Sequence, residues 1–68
     1  MSLLTYEYDC LHLEGEDKGK ITSHSFRQLT WNVAIRWAEL VNSDPNSPIA
    51  VLELRHPTRE KVVFDVKK

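Results

Sequence analysis

One stretch, Ser25 to Val41 (SFRQLTWNVAIRWAELV), constrains this chain more than any other, because it is apolar at helical spacing on two sides at once. Phe26, Leu29, Val33, Trp37, Leu40 and Val41 recur three and four apart. At about 100° per residue they gather within an arc of about 120°, wide enough to cover a sheet. Trp31, Ala34, Ile35 and Ala38 recur elsewhere on the helix, with Trp31 and Ile35 nearly opposite the Phe26–Val33–Trp37 line. Gln28, Asn32, Arg36 and Glu39 fill a polar wedge, and Arg27 stands on the other flank. Ser25 followed by Gln28 matches a capping box, whose two side chains satisfy free backbone donors, so the helix is expected to start there. A helix apolar on two sides is either buried on both or offers one side to a partner.

A chain of 68 residues is expected to form one domain, residues 1–68, and has little length to spare for a second layer. A domain this short buries only about 60% of the surface its unfolded chain exposes, so relief by self-association is a reasonable expectation. The one cysteine, Cys10, excludes an internal disulfide. A formal net charge of −1 argues against a general nucleic-acid or membrane-surface binder. The start, Met1-Ser2-Leu3-Leu4, runs straight into Glu7 and Asp9 and lacks a signal-peptide pattern, and no run reaches membrane-spanning length. A lone thiol fits a reducing compartment, and the expected location is the cytoplasm.

Around the central stretch, Leu3 to Leu13 reads as a strand. Leu4, Tyr6, Tyr8 and Cys10 alternate with Thr5, Glu7 and Asp9, and a shift of phase near Cys10–Leu11 points to a bulge. Glu14 to Lys20 holds both glycines and predicts a hairpin turn with Gly19 at positive φ. Residues 20–23 form an optional short strand before the helix. Asn42 to Pro48, with two prolines, is a loop. Ile49–Arg55 and Lys61–Lys67 then form an antiparallel hairpin, Val62, Phe64 and Val66 facing the core. The expected fold is α+β: a three- or four-stranded, mostly antiparallel sheet in the order β-(β)-α-β-β, with a single helix packed on one face. Phe26, Leu29, Val33, Trp37 and Leu40 are expected to meet Tyr6, Tyr8, Val51 or Leu52, and Phe64. The other face, bearing Thr5, Glu7, Asp9 and Glu53, is left to solvent.

That leaves Trp31, Ile35 and Ala38, with Arg27 beside them, as the candidate partner-binding surface, since tryptophan buries much area for few frozen torsions. Burial of these residues under a loop or the N-terminal hairpin is the alternative. A second cluster, Arg55, His56, Arg59 and Lys61, surrounds one hairpin tip and is the candidate anion site. Glu53 and Glu60 dilute it, and a solvated turn is the plainer reading. Cys10-x-His12 puts a thiol and an imidazole on one strand face, but two ligands do not complete a metal site. Sequence alone cannot bring His24 or His56 there, so Cys10 reads as a small apolar core residue and no metal or cofactor is expected. Carboxylates crowd the Glu14–Asp17 loop without the fixed, partly buried geometry that acid–base chemistry needs, and no nucleophile motif is present, so the chain is not expected to be an enzyme. The function expected is a cytoplasmic protein–protein interaction module, a regulator or inhibitor acting by surface binding, with self-association through the exposed helix face. Nucleic-acid or other anion binding at residues 55–61 is the alternative, and no membrane partner is expected.

Overall fold

Alternation of side chains makes Leu4–His12 a strand (β1): Tyr6 and Cys10 are buried on one side, while Thr5 and Glu7 are exposed on the other. The chain turns through Gly15 and Gly19, at φ +85° and +89°, a region that residues with a Cβ rarely enter. The Gly19 N–H donates to the His12 carbonyl (2.8 Å) and the His12 N–H to the Lys20 carbonyl (2.9 Å). The chain therefore returns antiparallel along β1 as Ile21–Gln28 (β2). After two residues comes the helix Trp31–Ser43 (α1), then the strands Ile49–Arg55 (β3) and Lys61–Val63 (β4). The computed structural model describes residues 3–65, so the expected core position of Val66 and the lysines at 67 and 68 lie outside the described residues. Among the described residues no helix is long and apolar enough to cross a membrane.

The four strands form one antiparallel sheet in the order β2-β1-β3-β4, with α1 across one face. Tyr6, Val51 and Leu54 from the sheet and Ala34 and Ala38 from the helix make the buried centre. The register of β1 against β3 breaks between Asp9 and Cys10, which face Glu53 and Val51, so Leu52 is the extra residue. The irregularity expected near Cys10–Leu11 is thus present, with the inserted residue on β3. Beside it the Asn42 side chain ties α1 to the sheet: its Oδ1 accepts from the Val51 N–H (2.7 Å) and its Nδ2 donates to the Val51 carbonyl (3.0 Å).

The helix differs from expectation at its start and in its phase. Ser25 and Gln28 lie in β2, where Ser25 faces Glu7, and Gln28 faces Leu4, across the ladder. Thr30 is the cap instead, its Oγ1 accepting from the Val33 N–H at 3.2 Å. The optional strand at 20–23 consequently grows to eight residues. With Phe26 and Leu29 removed from the helix, the first apolar stripe loses its beginning. Leu29, Val33 and Leu40, expected to face the sheet, are instead 52%, 45% and 57% exposed. The inward stripe is built on Ala34 and Ala38, one turn apart, whose small side chains let the helix backbone approach the sheet. Trp31, Ile35, Trp37 and Val41 pack around them. The last strand also stops at Val63, although the Phe64 N–H still donates to the Leu52 carbonyl (2.9 Å).

Candidate functional site

Of the residues singled out as a partner surface, one is core, two pack against the core and one lies on the far side of the sheet. Ala38 is fully buried, Ile35 is half-buried, and the Trp31 indole stacks on Tyr6 with centroids 5.6 Å apart and planes 26° apart. His56 meets both of these rings edge-on, at 5.3 Å from Trp31 and 5.4 Å from Tyr6. Arg27 belongs to β2 and is exposed opposite Thr5, on the solvent side of the sheet. The four therefore do not share one surface. Among the helix residues Ala38 is internal, while Trp31 and Ile35 pack against the core and stay half-buried.

What the helix does leave open lies on its β2 flank. Trp37 packs on Phe26 (4.7 Å) and on Tyr8 (4.9 Å), and is only half-buried. Val33 and Leu40 lie within about 60° of it around the helix and are exposed. Below them β2 is an edge of the sheet, paired only with β1. Antiparallel bonding alternates along a strand, and the bonded pair His12–Lys20 fixes the phase. Thr22, His24, Phe26 and Gln28 therefore turn their backbone groups to β1, and Ile21, Ser23, Ser25 and Arg27 turn theirs outward.

The basic tip is dispersed rather than assembled. Arg55 lies on the solvent side of the sheet, where its guanidinium donates to Asp9 (3.0 and 3.1 Å) and to Glu53 (2.8 Å) and lies 3.5 Å from Glu7. Ser23 Oγ donates to Asp9 at 2.6 Å, and Lys61 stands 3.5 Å from Glu53. Hydrogen bonds from Arg55 first, and from Ser23 second, hold the Asp9 carboxyl below its ordinary range. The Arg55 hydrogen bond likewise lowers Glu53, and Asp9 and Glu53 in turn raise the guanidinium further. Two of the four candidate anion ligands are thus engaged with carboxylates, and His56 packs its ring on Tyr6 and Trp31. Arg59 and Lys61 stay exposed, Lys61 beside Glu53.

A different cluster is assembled where sequence reasoning saw half of it. Register places Cys10 opposite Thr22 and Tyr8 opposite His24, so Cys10, His12 and His24 share the helix side of the hairpin. Thr22 Oγ1 lies 2.8 Å from His12 Nε2, 2.8 Å from His24 Nε2 and 3.5 Å from Cys10 Sγ. The thiol and the two imidazoles each bring a donor atom within 4.8 Å of the others. Cys10 is buried, His12 half-buried and His24 exposed, resting on Tyr8 at 5.4 Å. Burial first, and the neighbouring Cys10 second, raise the Tyr8 hydroxyl above its usual range.

Compared with known proteins, the chain matches no family model, no curated protein and no solved structure.

His24 and the β2 edge are the residues that sequence reasoning missed. The signal for both was the hairpin register. Once Gly19 is placed at the turn, counting back from Lys20–His12 sets Thr22 against Cys10 and His24 against Tyr8. The capping-box match at Ser25 obscured this by assigning the end of β2 to the helix.

Proposed function

We propose that this chain is a cytoplasmic protein–protein interaction module, not an enzyme, and that it acts by edge-to-edge association of β2 with β2 of a second copy. The observation that carries the reading is the undefended edge. β2 offers the outward amides and carbonyls of Ile21, Ser23, Ser25 and Arg27, with one charged side chain, no proline and no bulge in eight residues. Sheet edges are normally blunted by such devices or kept short, as β4 is, with three residues and Lys61. An antiparallel strand edge is self-complementary about a two-fold axis, so a second copy fits without any further adaptation. Strand addition supplies affinity through main-chain hydrogen bonds and specificity through alternate side chains. Here the added strand would lie beside Phe26, next to the half-buried Trp37 and the exposed Val33 and Leu40. A small core, centred on Tyr6, Ala34, Ala38, Val51 and Leu54, supports the expectation that association adds stability.

The variant Ser25→Pro tests this reading. It removes an outward N–H and leaves the β1–β2 ladder intact, because Ser25 does not bond β1. The expected result is an unchanged far-ultraviolet circular dichroism spectrum with a solution mass that falls from the dimer to the 7.9 kDa chain. A wild-type chain that light scattering finds monomeric at every soluble concentration would reject the proposal.

A further inference from the structure

We infer that Cys10, His12 and His24 form a binding site for one zinc-class transition-metal ion, held by a thiolate and two imidazole nitrogens on the helix side of the β1–β2 hairpin. Three observations carry it. The ligand set is a soft sulfur with two imidazoles, which suits zinc and its neighbours and not calcium or magnesium, whose ligands are oxygens. The three donor atoms already lie within 4.8 Å of one another. Tetrahedral zinc, with bonds of about 2.0–2.3 Å, needs ligand atoms about 3.4–3.7 Å apart, so closure by about 1 Å completes the set. Both histidines can supply that movement, since His12 is half-buried and His24 exposed, while the buried Cys10 provides the fixed point.

Thr22 explains how the set is held ready. Its hydroxyl contacts both Nε2 atoms at 2.8 Å, which aims the two rings at one place from opposite sides of the strand position. A hydroxyl carries one hydrogen and so can donate to only one of the rings, while the other ring must donate to it. Both rings therefore meet the same oxygen through the same ring position. On binding, the Cys10 thiol loses its proton to solvent, and the ring that donated from Nε2 carries its proton on Nδ1 instead, so both coordinating nitrogens present lone pairs, one ion enters and one proton leaves. The backbone of His24 turns to β1, so the site is independent of the edge association of β2 proposed above.

The test is a titration of the tag-free, reduced chain with cobalt(II), whose thiolate charge-transfer absorption and tetrahedral ligand-field bands report sulfur ligation directly. The expected result is saturation at one ion per chain, with the bands erased when zinc(II) is added. His12→Gln and His24→Gln should each lower the affinity by about tenfold or more, because each removes a ligand. Neither residue is in the buried core, so circular dichroism should stay unchanged in both. Cys10→Ser should abolish the charge-transfer band, and if that variant fails to fold the two histidine variants decide the matter. Absence of the band in the wild-type chain, or cobalt affinity that survives both histidine substitutions, would overturn the inference.

Discussion

Tyr6 illustrates how tightly single residues are held here. Its ring is fully buried between Phe26, Trp31 and His56, yet its hydroxyl has no hydrogen-bond partner among the described residues. An unpaired buried hydroxyl costs about 1–3 kcal/mol, so Tyr6→Phe is expected to be neutral or to stabilise the chain by about 1 kcal/mol in urea melts. A loss of stability would mean that the hydroxyl has a partner. Asp9 and Glu53 bring a pH dependence of definite sign. Their carboxyls sit below their ordinary values when folded, held there by hydrogen bonds from Arg55. Their contribution is complete above the unfolded values of about 4, and is lost as pH falls through the lowered folded values. The urea midpoint should accordingly drop on acidification below about pH 4, and Arg55→Gln should flatten that drop. Equal slopes in the two proteins would remove Arg55 from the account. The same network is why the basic hairpin, prominent as a sequence cluster, offers little free positive charge in the fold: its carboxylate partners are 46 and 2 residues away from Arg55 in sequence.

At the scale of elements, β1 and β3 were readable, while the extent of β2 and β4 and the phase of the helix were not. β1 and β3 declare themselves through alternation and β-branched residues, and Gly19 fixes the hairpin turn. The helix failed for a physical reason. Ser25 and Gln28 satisfy the capping pattern, and Phe26 and Leu29 lengthen an apolar stripe, but local pattern lost to cross-strand pairing, in which Phe26 faces Tyr6 and His24 faces Tyr8. The Ala34–Ala38 stripe looked weaker than the stripe carrying Val33 and Leu40 because alanines contribute little hydrophobicity. What they contribute is proximity of helix to sheet, which no hydropathy pattern reports. Cap substitutions separate the two boundaries: Thr30→Ala should cost about 1 kcal/mol and Ser25→Ala less than about 0.5. The reverse order would restore the helix start at Ser25. Ala38→Leu, inserted where the helix touches the sheet, should cost about 1–3 kcal/mol by overpacking, whereas Leu40→Ala on the exposed flank should stay within about 0.5. The cluster of Cys10, His12 and His24 follows the same lesson. Cys10-x-His12 is visible in one strand, and its third member becomes visible only with the register of the next.

As a whole molecule the chain is a four-stranded sheet covered on one face, with a short edge at β4 that carries Lys61 and a long, nearly uncharged edge at β2. The polar face balances Arg55 and Lys61 against Glu7, Asp9 and Glu53, which leaves neither a cationic nor an apolar platform there. The association proposed for this chain accordingly falls along β2, beside the Phe26–Trp37 pair. Amide hydrogen exchange, followed residue by residue as the protein is concentrated, reads that place without any substitution. The outward amides of Ile21, Ser23, Ser25 and Arg27 should exchange quickly when dilute and become protected on concentration, while those of Thr22, His24 and Phe26, bonded to β1, stay protected throughout. Exchange at Ser23 and Ser25 that stays fast at every concentration would contradict the β2 edge as the surface by which this protein binds.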